Sequence, residues 1–190
     1  MENLDNIVRE LGVCKRCKLH STRKTIVFGV GDSNANLMFI GEAPGADEDE
    51  KGEPFIGRAG KLLTSTIESI GISRSDVYIC NIVKCRPPGN RDPQPDEIEA
   101  CFPFLDKQIE AVNPKVIVTL GSPSTRTLLK SSIPISSIRG KWQTYKTYQV
   151  LPTFHPSYVM RKPTSIVGSQ FKEDLVEALR ASRESKAIHA

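Results

Sequence analysis

The stretch LMFIGEAPG, residues 37–45, passes from a short apolar run into a turn that contains two glycines and a proline. Three more runs rich in β-branched and aromatic residues follow at residues 77–82, 116–120 and 150–154. Runs of this length and composition predict β-strands, the first of them at residues 37–40. Because helical patterns separate the first three, the order of elements predicts an α/β fold with a mostly parallel, four-stranded sheet covered by helices.

Four segments carry apolar residues at helical spacing: residues 58–70, 96–112, 122–130 and 168–182. Gly71 can end the first helix, and the second begins after Pro95 with acidic residues in its first turn. Pro103 is expected to bend or interrupt that second helix. The segment KWQTYKTYQ, residues 141–149, alternates in character and is interpreted as a further strand or hairpin.

The composition is that of an ordinary soluble protein, with 38% hydrophobic and 25% charged residues. The 190 residues fit one domain, in which residues 183–190 are expected to be a disordered tail. The net charge of +4 permits contact with nucleic acid without requiring it. No apolar stretch has the length of a membrane span and no signal peptide is evident, so we expect a cytoplasmic protein without a membrane partner. We also expect a monomer.

Five cysteines are a further signal, because clustered cysteines in a reducing compartment bind metal more often than they form disulfides. Cys14 and Cys17 are two residues apart, and Cys85 and Cys101 follow downstream. Four thiolates suit a structural zinc ion or an iron–sulfur cluster, and their spacing does not choose between the two. Four unrelated buried thiols are the alternative. Cys80, in the apolar run VYICNIV, is the expected spare.

Distinctive residues follow each predicted strand at its carboxyl end. GEAPG (41–45) follows the first, Asn81 and then CRPPGNRDP (85–93) follow the second, GSPS (121–124) the third, and HPS (155–157) the fourth. In open α/β sheets, ligands bind at this edge. The four loops therefore predict a single site.

Each of these motifs also has a plainer interpretation. The amides of residues 41–45 could face an anion or simply form a strand-to-helix turn. His155 lies at a strand end, which favours a chemical role, whereas His20 and His189 are expected to have none. A buried amide at Asn81 must find hydrogen-bond partners in a backbone loop or a ligand. The loop RPPGNRDP (86–93) is either a surface excursion or a phosphate contact.

The motifs in combination resemble the uracil-DNA glycosylase superfamily, in particular its iron–sulfur members, called family four. The resemblance spans residues 10–180 and rests on the four cysteines together with GEAPG (41–45), PFIGRAGKLL (54–63), NIVKCRPPGNRDP (81–93) and HPS (155–157). It implies a three-layer α/β/α domain that removes uracil from DNA by hydrolysing the N-glycosidic bond, leaving an abasic site. It also implies a [4Fe–4S] cluster, rather than zinc, on Cys14, Cys17, Cys85 and Cys101, with uracil-containing DNA as the partner.

The resemblance assigns roles to individual residues. Phe55 stacks on uracil, although its own sequence context would predict a core residue. Asn81 reads the edge of the base and His155 contacts its O2 atom, while the turn that holds Gly41 and Ala43 helps to hold the base.

The best-studied branch of the superfamily has an aspartate where this chain has Ala43, so the group that positions water must lie elsewhere. Glu42 and Glu48 are the candidates, and Asn90 is a less direct one. The implied DNA contacts are Arg86, Arg91, Ser157, Tyr158, Val159, Met160, Arg161 and Lys162.

Two other functions are compatible with parts of the sequence. The chain could be a DNA-binding module that is stabilised by a cluster or zinc and has no glycosylase activity. It could also be a phosphate-handling α/β enzyme that uses residues 41–45 as an anion loop, but it lacks the Walker lysine pattern.

Overall fold

The computed structural model describes residues 3–184. Of the tail predicted at residues 183–190, Arg183 is instead the last residue of the final helix and Glu184 caps it. The remaining residues, 185–190 with His189, lie outside the described residues. Within residues 3–184, no helix has both the length and the apolar character needed to cross a membrane.

Six strands form the central sheet: β1 (Val30–Gly31), β2 (Leu37–Gly41), β3 (Tyr78–Asn81), β4 (Val116–Leu120), β5 (Gln143–Tyr145) and β6 (Tyr148–Thr153). Their order is β1-β3-β2-β4-β6-β5. The four inner strands are parallel, and the two edge strands pair antiparallel to their neighbours.

The helices are α1 (Leu4–Leu11), α2 (Ala46–Lys51), α3 (Arg58–Ser69), α4 (Pro95–Val112), α5 (Ser122–Leu129), α6 (Ile135–Ile138), α7 (Pro156–Met160) and α8 (Val167–Arg183). Single 3-10 turns occur at Lys18–Ser21, Arg74–Asp76 and Pro88–Asn90. The four predicted helices correspond to α3, α4, α5 and α8.

The prediction of a mostly parallel sheet is confirmed, but the sheet has six strands rather than four. The hairpin interpretation of residues 141–149 is confirmed by β5 and β6. The strand β1 was missed because it has only two residues, and the apolar residues Ile26, Val27 and Phe28 that precede it are not part of the strand. Gly31 lies so close to β3 that a Cβ atom on it would sit 1.8 Å from the carbonyl oxygen of Val77.

Of the two predicted effects of Pro103, a bend or an interruption, the interruption does not occur, because α4 continues through it. The missing N–H of a proline removes one hydrogen bond from a helix. Phe104, Leu105 and Ile109, just beyond the proline, are all buried. Their packing holds the helix together at this point, since tertiary contacts routinely override local preferences.

Helices cover both faces of the sheet. Along β2, Leu37 and Phe39 pack against α3, α7 and α8. Met38 and Ile40 pack on the opposite face against α4 and α5. Because both faces are buried, the strand has a continuous apolar sequence rather than an alternating one. The three-layer α/β/α arrangement is confirmed.

The sheet register brings the distinctive loops to one edge. Gly41 at the end of β2 is paired with Asn81 at the end of β3. The ends of β4 and β6 are paired in the same way, so Gly121 and His155 follow them side by side. The loops that follow the four inner strands therefore share the carboxyl edge of the sheet.

Candidate active site

Phe55 and Asn81 converge over Gly41. A Cβ atom on Gly41 would lie 2.4 Å from Cζ of Phe55 and 2.5 Å from Oδ1 of Asn81. Contacts this short are not tolerated, so the residue must be glycine for the two side chains to reach one another. The first two members of the predicted uracil-binding set are thus brought together by the end of β2.

Phe55 occupies an unusual backbone conformation, with φ of 51°. Its main chain is pressed against α3, where a Cβ atom on Gly60 would lie 1.9 Å from the Phe55 carbonyl. The ring is buried in the core cluster and also faces the site. The core interpretation and the interpretation from family resemblance are therefore both consistent with its position.

Glu48 fastens the loop that carries Phe55. One carboxylate oxygen accepts hydrogen bonds from the amides of Ile56 at 3.0 Å and Gly57 at 2.8 Å. The other accepts from the amide of Gly45 at 3.1 Å. Two roles are predicted for Glu48, orienting water or shaping the pocket. Because both oxygens are occupied by backbone donors, the geometry favours the second.

His155 lies beside Phe55, with ring centroids 5.7 Å apart and planes inclined at 35°. Its Nδ1 atom accepts a hydrogen bond from the Ser157 amide at 3.1 Å. Burial lowers the pKa of His155 to about 4, with Arg161 acting in the same direction and Glu48 opposing it. The ring is therefore neutral near pH 7. A neutral imidazole that accepts at Nδ1 carries its proton on Nε2, which leaves Nε2 as a donor.

Asn81 has an unsatisfied acceptor. Its Oδ1 atom is buried and has no hydrogen-bond partner in the part of the chain that the structure describes. A buried polar atom without a partner costs about 1–3 kcal/mol, so such atoms in native sites commonly await a ligand or an ordered water. The atom lies over Gly41, beside the Phe55 ring.

A cleft of about 560 Å³ opens beside this trio. Its wall includes Glu42, Asn90, Asp92, Gly121, Phe154, His155, Ser157, Tyr158 and Arg161. Neither Phe55 nor Asn81 lines it. His155 belongs to the cleft wall and also contacts Phe55, so it connects the two parts of the site.

Glu42 and Asp92 form a carboxylate pair on the cleft wall. Burial raises the pKa of Glu42 to about 7, and the charge of Asp92 and its hydrogen bond act in the same direction. Arg126 opposes the shift. Like charges in close contact do not both ionise readily, so the carboxyl of Glu42 changes charge near pH 7. Sequence reasoning missed Asp92, and its only signal was its place in the loop at residues 86–93.

Both arginines of the loop at residues 86–93 donate hydrogen bonds to acceptors within the protein. Nε of Arg86 donates to Oδ1 of Asn90 at 2.7 Å. Arg91 donates two hydrogen bonds, of 2.9 and 2.6 Å, to the fully buried carboxylate of Glu97. Arg91 lowers the pKa of Glu97, which the amide of Gln94 also stabilises. Arg91, which was predicted to contact DNA phosphates, is therefore already paired with a carboxylate inside the protein.

The residues after His155 form α7 at the mouth of the cleft. Ser157, Tyr158 and Met160 are half-buried, and Arg161 and Lys162 are exposed. The guanidinium of Arg161 lies 5.8 Å from the centre of the Tyr158 ring. Val159, which was predicted to accompany them into DNA, is instead buried in the core. Successive residues of a helix face different sides, so the residues of α7 cannot all face the cleft, and Val159 faces the core.

The four predicted metal ligands come from three separate parts of the chain. Cys14 and Cys17 follow α1, Cys85 follows β3, and Cys101 lies in α4. Burial raises the pKa of Cys17, Cys85 and, to about 11, Cys101. Each of these three thiols interacts electrostatically with at least one other member of the set.

All five cysteines are free. Within residues 3–184, no three cysteine, histidine or acidic side chains are arranged in a geometry ready for a metal ion. The fifth thiol, Cys80, is fully buried in the core cluster that also contains Cys85, where it packs as a small hydrophobic residue.

The sequence that forms this sheet and the loops at its carboxyl edge matches the model of a known protein family. The family model described as the uracil DNA glycosylase superfamily matches residues 28–180. The chain belongs to the uracil-DNA glycosylase superfamily, as the sequence motifs predicted.

Similar proteins place the chain beside the type-4 members of that superfamily. A type-4 uracil-DNA glycosylase of Saccharolobus solfataricus is 51% identical over 172 residues, which are 86% of this chain and 80% of that protein. One from Archaeoglobus fulgidus is 47% identical over 86% of both chains. One from Thermotoga maritima is 44% identical over 93% of this chain and 94% of its own length.

Proposed function

We propose that this protein is a DNA repair glycosylase that hydrolyses the N-glycosidic bond of uracil in DNA and leaves an abasic site. We further propose that it acts in the cytoplasm as a single-domain monomer. The observation that carries the proposal is the unpartnered, buried Oδ1 atom of Asn81, which lies against Phe55 at the strand ends. Type-4 relatives that cover most of the chain support the same activity.

Asn81 can distinguish uracil from cytosine by the direction of two hydrogen bonds. Uracil presents an N3–H donor and an O4 acceptor. Its N3–H would satisfy Oδ1 of Asn81, while the amide nitrogen donates to O4. Cytosine presents an acceptor at N3 and a donor at its amino group, so both bonds would fail. A site built around buried polar groups rejects such an analogue strongly, by about 10⁴-fold or more.

Phe55 offsets part of the cost of taking the base out of the helix. Extruding a nucleotide costs a few kcal/mol of stacking and pairing, and less for a mismatched base. Stacking of a base on an aromatic ring typically returns about 1–3 kcal/mol. The Glu48 contacts and the close approach of Gly60 hold the ring in place before the base arrives.

His155 stabilises the leaving base. When the glycosidic bond breaks, negative charge develops on uracil and positive charge on the sugar. The Nε2–H group of a neutral His155 can donate to O2, where part of that negative charge collects. The loss of one such donor typically costs about 3–4 kcal/mol of transition-state stabilisation.

Glu42 is the group we propose to orient the attacking water. It lines the cleft with Asp92, and its carboxyl changes charge near pH 7. A carboxylate there can accept a proton from water and can also face the developing positive charge of the sugar. Asn90, on the same wall, is a secondary candidate for holding that water.

We propose that Cys14, Cys17, Cys85 and Cys101 hold a [4Fe–4S] cluster. The donor set fits this cofactor, since it consists of four free thiols that interact electrostatically and come from three chain segments. When bound, the cluster would fasten the N-terminal segment to the loop after β3 and to α4. Its role in this proposal is architectural, and visible absorbance and iron content distinguish it from zinc.

DNA would approach the edge that carries the cleft. Arg161 and Lys162 are exposed beside it and are the cations best placed for phosphates, so binding should weaken as salt rises. Ser157, Tyr158 and Met160 would meet the strand that carries the extruded base.

An excision assay tests the proposal. The protein is mixed in excess with oligonucleotides that carry uracil, thymine or cytosine at one position, and abasic sites are cleaved with alkali. We expect cleavage only at uracil. Binding of the uracil strand without the appearance of abasic sites would instead indicate a DNA-binding module that does no chemistry.

A further inference from the structure

Lys84 is a fully buried lysine between the candidate metal ligands and the uracil pocket. Its Nζ atom donates a hydrogen bond of 2.6 Å to the backbone carbonyl of Asn81. Its own amide donates to Sγ of Cys101 at 3.3 Å, and it directly precedes Cys85 in the chain. Its side chain also reaches the thiol of Cys80.

A buried ammonium group needs negative charge nearby. Among residues 3–184, Lys84 forms no ion pair with a carboxylate. An uncompensated buried charge is strongly unfavourable. The side chain of Lys84 interacts electrostatically with Cys101, one of the four proposed metal ligands. Four thiolates carry a net negative charge whether they hold a zinc ion or a [4Fe–4S] cluster.

The carbonyl that Lys84 holds belongs to the residue that reads the base. Immediately after Asn81, the amides of Ile82 and Val83 donate to the carbonyls of Gly41 and Glu42, at 2.9 and 3.1 Å. The peptide after Asn81 is thus fixed on one side by the GEAPG turn and on the other by the ammonium. Rotation of that peptide would move the Asn81 side chain relative to Phe55.

We propose that Lys84 is a positioning residue that couples the cysteine site to the uracil pocket. The inference rests on the proposed glycosylase function and metal site. The charge of the thiolates retains the ammonium in the core, and the ammonium fixes the Asn81 carbonyl and with it the amide that selects uracil. The metal site would then support base recognition through one side chain.

Arg23 provides a matched comparison, because it is also a cation beside the cysteines but does not contact Asn81. Its Nη1 atom donates to Sγ of Cys85 at 3.3 Å. Lys84→Met and Arg23→Met each remove one positive charge next to the thiolates. Both variants should lower the reduction potential of a bound cluster, and both should release metal to a chelator sooner than the wild-type protein.

Only Lys84→Met should disturb base recognition through Asn81. Under single-turnover conditions we expect it to slow uracil excision by about tenfold or more, and by more than Arg23→Met does. In an Asn81→Ala background the same substitution should have little further effect, because the residue it positions is gone. Equal slowing in both backgrounds, or an unchanged potential and metal release, would overturn the proposal.

The measurements test the role of Lys84 and the glycosylase function independently of each other. The potential and metal release are measured without DNA, so they test Lys84 even if uracil is not excised, and the wild-type excision rate tests the glycosylase function alone. If Lys84→Met does not fold, Lys84→Arg, which keeps the charge, should yield folded protein with bound metal. Failure of both to fold would indicate a requirement for shape rather than charge, and would contradict the coupling.

Discussion

Replacing Gly41 with alanine should damage the site through a single methyl group. That methyl would lie 2.4 Å from Cζ of Phe55 and 2.5 Å from Oδ1 of Asn81, whereas an ordinary contact is at least 3.4 Å. The ring and the amide must therefore each withdraw by about 1 Å, a misplacement that can cost about 10²-fold in rate. Overpacking of this kind also destabilises a protein by about 1–3 kcal/mol.

The assay is single-turnover excision of uracil with enzyme in excess, together with thermal unfolding. The matched control is Gly168→Ala in α8, where an added methyl meets only Cγ1 of Val159 at 3.9 Å. We expect the control to excise uracil at the wild-type rate and Gly41→Ala to be about 100-fold slower while still folded. Wild-type excision by folded Gly41→Ala would refute the convergence of Phe55 and Asn81 on the base.

Three further predictions concern other parts of the site. His155→Ala should lower the single-turnover rate by about 10²–10³-fold, with little change in DNA binding measured by fluorescence anisotropy, because the lost donor acts on the leaving base. The rate should rise as pH increases through about 7, since Glu42 must lose its proton to accept one from water, and Glu42→Gln should flatten that profile. Asp92→Asn should move the rise to lower pH; an unmoved profile would contradict the pairing. Arg91→Met should lower the melting temperature, because the buried Glu97 carboxylate loses its partner, while the salt dependence of DNA binding stays unchanged. A shallower salt dependence would instead place Arg91 on DNA.

The arrangement of the four inner strands could be predicted from the sequence because each is a short apolar run that ends in an unusual loop. Parallel strands then bring Gly41, Asn81 and His155 to one edge with no further information. The strand β1 could not be predicted in this way, since it consists of only two residues, which pair with β3. The continuity of α4 through Pro103 could not be predicted either, because it depends on the burial of the residues that follow the proline.

The chemistry of the carboxylates could not be predicted, because it depends on contacts between distant loops. Glu42 and Glu48 look alike in the sequence as acids near the same turn. The loop at residues 52–57 folds back to present amides to Glu48, whereas Glu42 meets Asp92, fifty residues away in the chain. Only the tertiary structure separates a carboxylate that holds a loop from one that changes charge near neutral pH.

The choice between uracil and cytosine tests the account most directly. Single-turnover excision is measured on matched strands with either base, for the wild-type protein and for Asn81→Asp. We predict that the wild-type protein excises uracil alone and that Asn81→Asp loses much of this preference, because its carboxyl no longer offers the amide donor to O4. An unchanged preference for uracil in the variant would contradict recognition by Asn81.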